Sequence, residues 1–263
     1  MSTPEIVRAS FPSFSLKGRL ALITGASDGI GKQIAIAFAG MGANAALISR
    51  EPSRLEDTIA AIRNFGAEAR GYAGDVTSIQ SIQSVVDRVV SELGPVVILV
   101  NSAGSPLTKM AFDVTEEDWD RVIDTGLKGT YFTSVEVARY MAKQGYGKII
   151  NLSSTYSQSV AAGKSVYAIS KAGISHLTRA LAAEWASLGI RVNALAPTLT
   201  NTPTRQSIFQ DPNRMESILS KIPMGRFATG EDITGAAIFL ASEASDFITG
   251  QTIFVDGGWN AAR

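Results

Sequence analysis

Leu20-Ala21-Leu22-Ile23-Thr24-Gly25-Ala26-Ser27-Asp28-Gly29-Ile30-Gly31 is the stretch that decides the fold. Its apolar opening reads as a strand buried on both faces of a parallel sheet. Beyond the glycines, Ile34, Ala35, Ala37, Phe38 and Met41 recur at helical spacing, and Gly40 and Gly42 mark the helix end. Strand, glycine turn and helix in that order suit a nucleotide pyrophosphate. Glycine lets the backbone come close to the phosphates, and the helix N-terminus offers free N–H groups and a favourable dipole. The spacing is Gly-x-x-x-Gly-x-Gly rather than the Gly-x-Gly-x-x-Gly of other dinucleotide folds.

Outward from this unit, short apolar runs alternate with helical stretches, the pattern of repeated βαβ units. Strands are expected near 19–24, 43–49, 67–73, 96–101, 147–153, 190–196 and 251–256. Helices are expected near 53–65, 78–93, 116–125, 128–143, 165–188 and 230–241. Right-handed crossovers then give an α/β, doubly wound, seven-stranded parallel sheet of order 3-2-1-4-5-6-7, with ligands at the strands' carboxyl ends. Residues 1–14 read as an N-terminal extension with Phe14 and Leu16 as its anchors, and 15–263 as a single domain. Residues 198–225 form the long insertion and the expected substrate lid.

Composition narrows the function classes. The 263 residues are 45% hydrophobic, enough for one sizeable α/β core. Twenty-four basic and 24 acidic residues cancel, so net charge gives no case for nucleic acid or an anionic membrane. With no Cys there is neither a disulfide framework nor a thiolate metal site. No apolar run in the first twenty residues suits a signal peptide, and no run approaches the roughly 20 residues of a spanning helix. A cytoplasmic protein is expected.

Ser165-Val166-Tyr167-Ala168-Ile169-Ser170-Lys171-Ala172 places Tyr167 and Lys171 four apart, on one helix face. A free phenol titrates near 10, and a neighbouring ammonium favours the phenolate, which suits acid/base chemistry. Ser154 lies thirteen residues before the tyrosine.

Together these residues resemble the short-chain dehydrogenase/reductase family, over nearly the whole chain. The glycine motif matches at Gly25, Gly29 and Gly31. The family's Asn-Asn-Ala-Gly appears as Asn101-Ser102-Ala103-Gly104, and its Pro-Gly segment as Pro197-Thr198 with Thr202 beyond. The ending Gly250-Gln251-Thr252-Ile253-Phe254-Val255-Asp256-Gly257-Gly258 is also characteristic. The resemblance implies hydride transfer between a nicotinamide and a carbonyl or alcohol. Tyr167 would be the acid/base, Lys171 its partner and a ribose ligand, and Ser154 the hydrogen-bond donor to the substrate oxygen. Ser153 is the local competitor of Ser154. Ser27, Asp28 and Ile30 would complete the phosphate turn. Asp75, with Val76, would meet the adenine or start the next helix, and Asn101, Ala103 and Gly104 would brace the cofactor loop.

The end of the second strand selects the dinucleotide. An acidic residue there would bind a ribose 2′-hydroxyl, whereas Arg accommodates a 2′-phosphate. Ser49 holds the acidic position and Arg50 follows, favouring NADP, with NAD as the other candidate. Asp28 and Glu51 are the features against it.

One position departs from the family. Gly126 stands where relatives carry an Asn that holds a helix bend and a proton-relay water. A glycine tolerates the bend and keeps a carbonyl for that water. The sole histidine, His176, sits nine residues past Tyr167, about 180° round the helix, and is excluded from the chemistry. No metal-ligand spacing is present.

Two readings follow: an NADP-linked oxidoreductase of a small ketone, sugar or polyol, with a 3-oxoacyl thioester as the alternative substrate, or a catalytically impaired cofactor-binding protein. Pro106, Leu107, Tyr156, Gln158, Leu199 and Phe209 are the expected pocket lining. Lys109, Arg139 and Lys143 are the cations that an acidic acyl carrier would need. The resemblance also implies a homotetramer through the helices near 128–143 and 165–188 and the last strand. Small residues Ala168, Ala172, Ala180, Ala182 and Ala183 permit close approach.

Overall fold

The computed structural model describes residues 11–202 and 210–262. Seven parallel strands form one sheet: β1 (Leu20–Thr24), β2 (Asn44–Ser49), β3 (Ala69–Ala73), β4 (Val96–Asn101), β5 (Gly147–Leu152), β6 (Ile190–Pro197) and β7 (Thr252–Val255). Their order is β3-β2-β1-β4-β5-β6-β7. Strands β1 and β5 are buried at every residue, which is why they read as continuous apolar runs rather than alternating ones.

The helices are α1 (Gly29–Gly40), α2 (Glu56–Arg63), α3 (Ile79–Leu93), α4 (Glu116–Ile123), α5 (Gly129–Gln144), α6 (Ser165–Trp185), α7 (Pro212–Leu219) and α8 (Gly230–Ala241). Two apolar layers sandwich the sheet. Ile34, Phe38, Ile62, Ile233 and Leu240 pack from α1, α2 and α8 on one face. Val85, Val89, Val137, Met141 and Leu181 pack from α3, α5 and α6 on the other.

Local chemistry moves several expected boundaries. Pro52 starts a 3₁₀ turn over Pro52–Leu55, so α2 begins at Glu56 rather than 53. Its rigid φ and missing N–H suit a first turn. Ser78 caps α3 by accepting from the Ser81 amide at 3.3 Å. The helix expected over 116–125 stops at Ile123 and passes into a π-helical turn, Asp124–Lys128, before α5 begins.

Of the expected extension, residues 1–10 lie outside the described residues. Leu16 is fully buried, its amide donating to Met41 O at 2.9 Å, and the Phe14 ring lies 6.3 Å from that of Phe239. Within the expected lid, residues 203–209, Phe209 among them, lie outside the described residues, and α7 occupies part of the remainder.

Candidate active site

The order reverses between β1 and β4, and this is where an open α/β sheet leaves a crevice. Thr24, the last residue of β1, ties the two halves together. Its Oγ1 accepts from the amides of Ser102 and Ala103 at 3.1 and 3.2 Å. Gly25 follows in the left-handed region, φ +66°, and a Cβ there would lie 2.8 Å from the Ala103 nitrogen. Only glycine meets both constraints. Asp28 caps α1, Oδ1 accepting from Gly29 N at 2.6 Å, so the helix's positive end opens beside the turn.

A cavity of about 600 Å³ runs from this turn across the carboxyl ends of the strands. Gly25, Ser27, Asp28, Gly29 and Ile30 line it, as do Ser49, Arg50, Asp75 and Val76 on the β2–β3 side. Ala103, Gly104, Ser154, Tyr167, Lys171, Pro197, Thr198 and Thr202 line the rest. Gly31 and Asn101 are not on its wall. Gly31 is buried beneath the turn. Asn101 braces the layer below, its Nδ2 donating to Ser134 Oγ and Asn151 Oδ1, each at 2.9 Å. Asp75 accepts from both the amide and the hydroxyl of Thr77, while Ser78 supplies the actual helix cap.

At the β5 end, Ser154 and Lys171 are buried, each 6% exposed. Ser154 Oγ accepts from Tyr156 N at 3.2 Å. Ser153, its sequence competitor, is committed elsewhere: its hydroxyl lies 3.0 Å from Lys171 O, to which it donates, and 2.8 Å from Ser175 Oγ. Lys171 Nζ donates to Leu152 O at 2.5 Å and lies 5.7 Å from the centre of the Tyr167 ring. Tyr156 meets that ring edge-on at 6.2 Å. Helix α6 therefore presents its tyrosine and lysine to one wall, and the end of β5 holds the lysine in place. His176 is exposed.

Gly126 lies inside the π-helical turn, and Thr125 beside it reaches the cavity. Its carbonyl accepts from Thr130 Oγ1 at 2.6 Å. A Cβ at Gly126 would meet Ser170 Oγ at 2.7 Å. The glycine thus serves close approach to α6, with the Ser170 hydroxyl where a side chain would start.

The cavity wall also includes residues that the motifs did not indicate. Arg54 joins Arg50 from the 3₁₀ turn after β2. Trp259 enters from the C-terminal segment because both Asp256 carboxylate oxygens accept amides, those of Gly258 and Asn260, each at 3.0 Å. The Asp-Gly-Gly turn before it was the available signal. Lys164, just ahead of α6, and Ile218 of α7 complete the wall at the β5–β6 end. Pro106, Tyr156 and Leu199 are on it as expected, whereas Leu107 and Gln158 are not. Lys109 pairs with Asp118 at 2.6 Å and Arg139 with Glu136 at 3.5 Å, while Lys143 sits over the Tyr140 ring at 5.3 Å. None of the three is on the cavity wall. Among the described residues, no group of three or more His, Cys, Asp or Glu could hold a metal ion, and no helix is long and apolar enough to cross a membrane.

Residues 25–260 match the family model described as enoyl-(acyl carrier protein) reductase. Over 250 residues the chain is 39% identical to the 2-dehydro-3-deoxy-D-gluconate 5-dehydrogenase of Dickeya dadantii, covering 95% of this chain and 98% of that protein. The chain belongs to the short-chain dehydrogenase/reductase family. Two solved family structures superpose closely. A short-chain type dehydrogenase/reductase from Mycobacterium marinum gives a TM-score of 0.89 at 36% identity, covering 94% of this chain and 97% of that one. A gluconate 5-dehydrogenase from Burkholderia cenocepacia, solved with NADP and tartrate, gives 0.92 at 34% identity, covering 95% and 98%.

Proposed function

We propose that this family member is an NADP(H)-dependent oxidoreductase of sugar acids that interconverts a keto-aldonate and its secondary alcohol. The observation that carries the reading is the meeting of Ser154, Tyr167 and Lys171 on one wall of the cavity that the glycine turn opens. The cavity fits the dinucleotide on two counts. The Gly25 backbone leaves no room for a Cβ, and Arg50 and Arg54 stand beside Ser49, where an acidic residue would repel a 2′-phosphate. Gly25 to Ile30 would hold the pyrophosphate, Arg50 and Arg54 the 2′-phosphate, Asp75 and Val76 the adenine, and Lys171, Pro197, Thr198 and Thr202 the nicotinamide riboside.

NADPH, when bound, supplies the hydride that the carbonyl carbon accepts. Tyr167 donates its phenolic proton to the carbonyl oxygen in reduction and takes it back in oxidation. The Ser154 hydroxyl donates to the same oxygen and stabilises the charge that develops there. Lys171 holds a positive charge near the tyrosine, its Nζ fixed by Leu152 O. Trp259 and Ile218 close the substrate end against water, with α7 as part of the lid.

The sugar-acid class rests on the similarity to two hexonate dehydrogenases and on the polar lining from Thr155, Tyr156 and Thr200. A 3-oxoacyl thioester is the alternative substrate. NADPH oxidation tests the choice. We expect turnover with 5-dehydro-D-gluconate, with acetoacetyl thioester at least tenfold poorer in kcat/KM. The reverse order would transfer the assignment to the thioester, and no turnover with either would favour a cofactor-binding protein. We also assign the chain to the cytoplasm as a homotetramer through α5, α6 and β7. The exposed Ala172, Ala180 and Ala183 of α6 support the contact face, and a monomeric mass by light scattering at micromolar concentration would contradict it.

A further inference from the structure

The Ser154 hydroxyl serves the reaction only if its hydrogen points at the substrate oxygen, and the backbone around it decides that direction. Ser154 O accepts from Ser157 N at 2.9 Å, closing a 3₁₀ turn over Thr155–Ser157, while Ser154 Oγ accepts from Tyr156 N. Thr155 O then accepts from the amides of Gln158 and Ser159 at 3.1 and 3.0 Å, and from Ser159 Oγ at 3.0 Å. Ser159 Oγ in turn accepts from Trp259 Nε1 at 3.1 Å. A chain of hydrogen bonds thus runs from the indole of the C-terminal segment to the residue beside Ser154. Both ends of it, Trp259 and Thr155, are buried. Bonds linked in this way polarise and strengthen one another. The turn before Trp259 is also joined to the segment that follows α7, because Met224 N donates to Gly257 O at 3.1 Å.

We propose that Trp259 is a positioning residue for the reaction: through Ser159, its N–H fixes the turn that aims the Ser154 hydroxyl at the carbonyl oxygen. The inference rests on the role of Ser154 in carbonyl reduction given above, and it holds for a sugar acid and a thioester alike. A ring that only walled the pocket would need no donor. A buried indole N–H does need an acceptor, and here that acceptor is one hydrogen bond away from the catalytic turn. The loop itself has little else to hold it. Gln158, Val160, Ala161 and Ala162 are all exposed, so hydrogen bonds rather than apolar burial set its place. The precision matters, since a displacement of about 1 Å at a reacting group can cost on the order of a hundredfold in rate.

The test measures kcat, KM and NADPH affinity for Trp259→Phe and Ser159→Ala, each alone and combined with Ser154→Ala. The substrate is 5-dehydro-D-gluconate or acetoacetyl thioester, whichever the wild type reduces faster. Trp259→Phe keeps an aromatic ring and lacks the N–H; Ser159→Ala leaves the indole untouched. Each should lower kcat roughly tenfold, with KM and NADPH affinity near those of the wild type. Ser159→Thr, which keeps the hydroxyl, should retain most of the rate. Ser154→Ala should lower kcat by about 10²-fold, and on that background no hydroxyl remains to be aimed. There both changes should alter kcat by less than about twofold, because residues that act as a unit are not additive. Undiminished losses on the Ser154→Ala background would overturn the proposal, since Trp259 would then act by another route. A raised KM with unchanged kcat would overturn it too, leaving Trp259 as a wall of the pocket. So would full activity in Ser159→Ala, even if Trp259→Phe did not fold. A wild type that reduces neither substrate overturns the oxidoreductase reading, and this inference with it.

Discussion

Gly126 shows how a residue located from sequence gains a further constraint in the fold. Its departure from the family's Asn was visible, and a free carbonyl in a tolerated bend was the expected consequence. In the fold, Thr130 already donates to that carbonyl, and Ser170 Oγ lies 2.7 Å from the missing Cβ. Restoring Asn would therefore crowd the Ser170 hydroxyl. Overpacking of this kind costs about 1–3 kcal/mol. Gly126→Asn is expected to lose stability on that scale in urea, and Ser170→Ala should recover at least half of the loss in a double-mutant cycle. Additive costs would show that the two positions do not compete for space. Arg54 and Lys164 were illegible for another reason. A 3₁₀ turn and a helix approach carry them to the cavity, and no spacing rule encodes such loop paths, whereas the Asp-Gly-Gly turn was the one signal for Trp259.

At the scale of elements, the strands and most helices were legible because periodicity and capping residues agree with the tertiary contacts. Ser78 before α3 and the capping boxes of Thr115 with Asp118 and Thr229 with Asp232 mark starts that can be read directly. The π-helical turn has no such capping signature; it lies where Gly126 comes close to Ser170 of α6. Opposite the cavity, the strands' amino ends are joined by a polar cluster that sequence also hid. Lys148 of β5 is fully buried and pairs with Asp246 at 2.8 Å, and it donates to Ser245 Oγ at 3.0 Å. The Tyr146 hydroxyl accepts from Arg19 and donates to Asp246, each at 3.0 Å. Burial alone would raise the Asp246 carboxyl, but Lys148, Tyr146 and Arg191 outweigh it and hold the group below its ordinary value. Burial also pulls the Lys148 ammonium below the usual lysine range, against Asp246. A carboxyl bound more tightly to its charge in the folded state adds stability above its unfolded value, about 3.9. That contribution is lost as pH falls through the lower folded value. Asp246→Asn should therefore be destabilised at pH 7, by leaving Lys148 without its carboxylate, and should lose less stability than the wild type between pH 5 and 3. Parallel acid limbs in the two proteins would remove Asp246 from the acid response.

For the whole molecule, the doubly wound order was readable because a parallel sheet with helical crossovers admits few topologies, and the glycine turn fixes which strand comes first. The sheet then places Ser154 from the end of β5 against Tyr167 and Lys171 from α6, residues that the chain separates by a loop and a helix start. What the topology does not encode is the chemistry of the substrate end, which belongs to the loop after β4, the C-terminal segment and α7. The central claim, that this wall of the cavity delivers a proton to a carbonyl while the rest holds NADPH, is tested most directly with Tyr167→Phe. The measurement pairs turnover of 5-dehydro-D-gluconate with NADPH affinity by fluorescence titration on the same protein. The account predicts a kcat lower by about 10²–10⁴-fold, the usual worth of a general acid, with NADPH affinity close to that of the wild type. A loss smaller than about tenfold, with NADPH still bound, would show that the proton comes from elsewhere and would contradict the account.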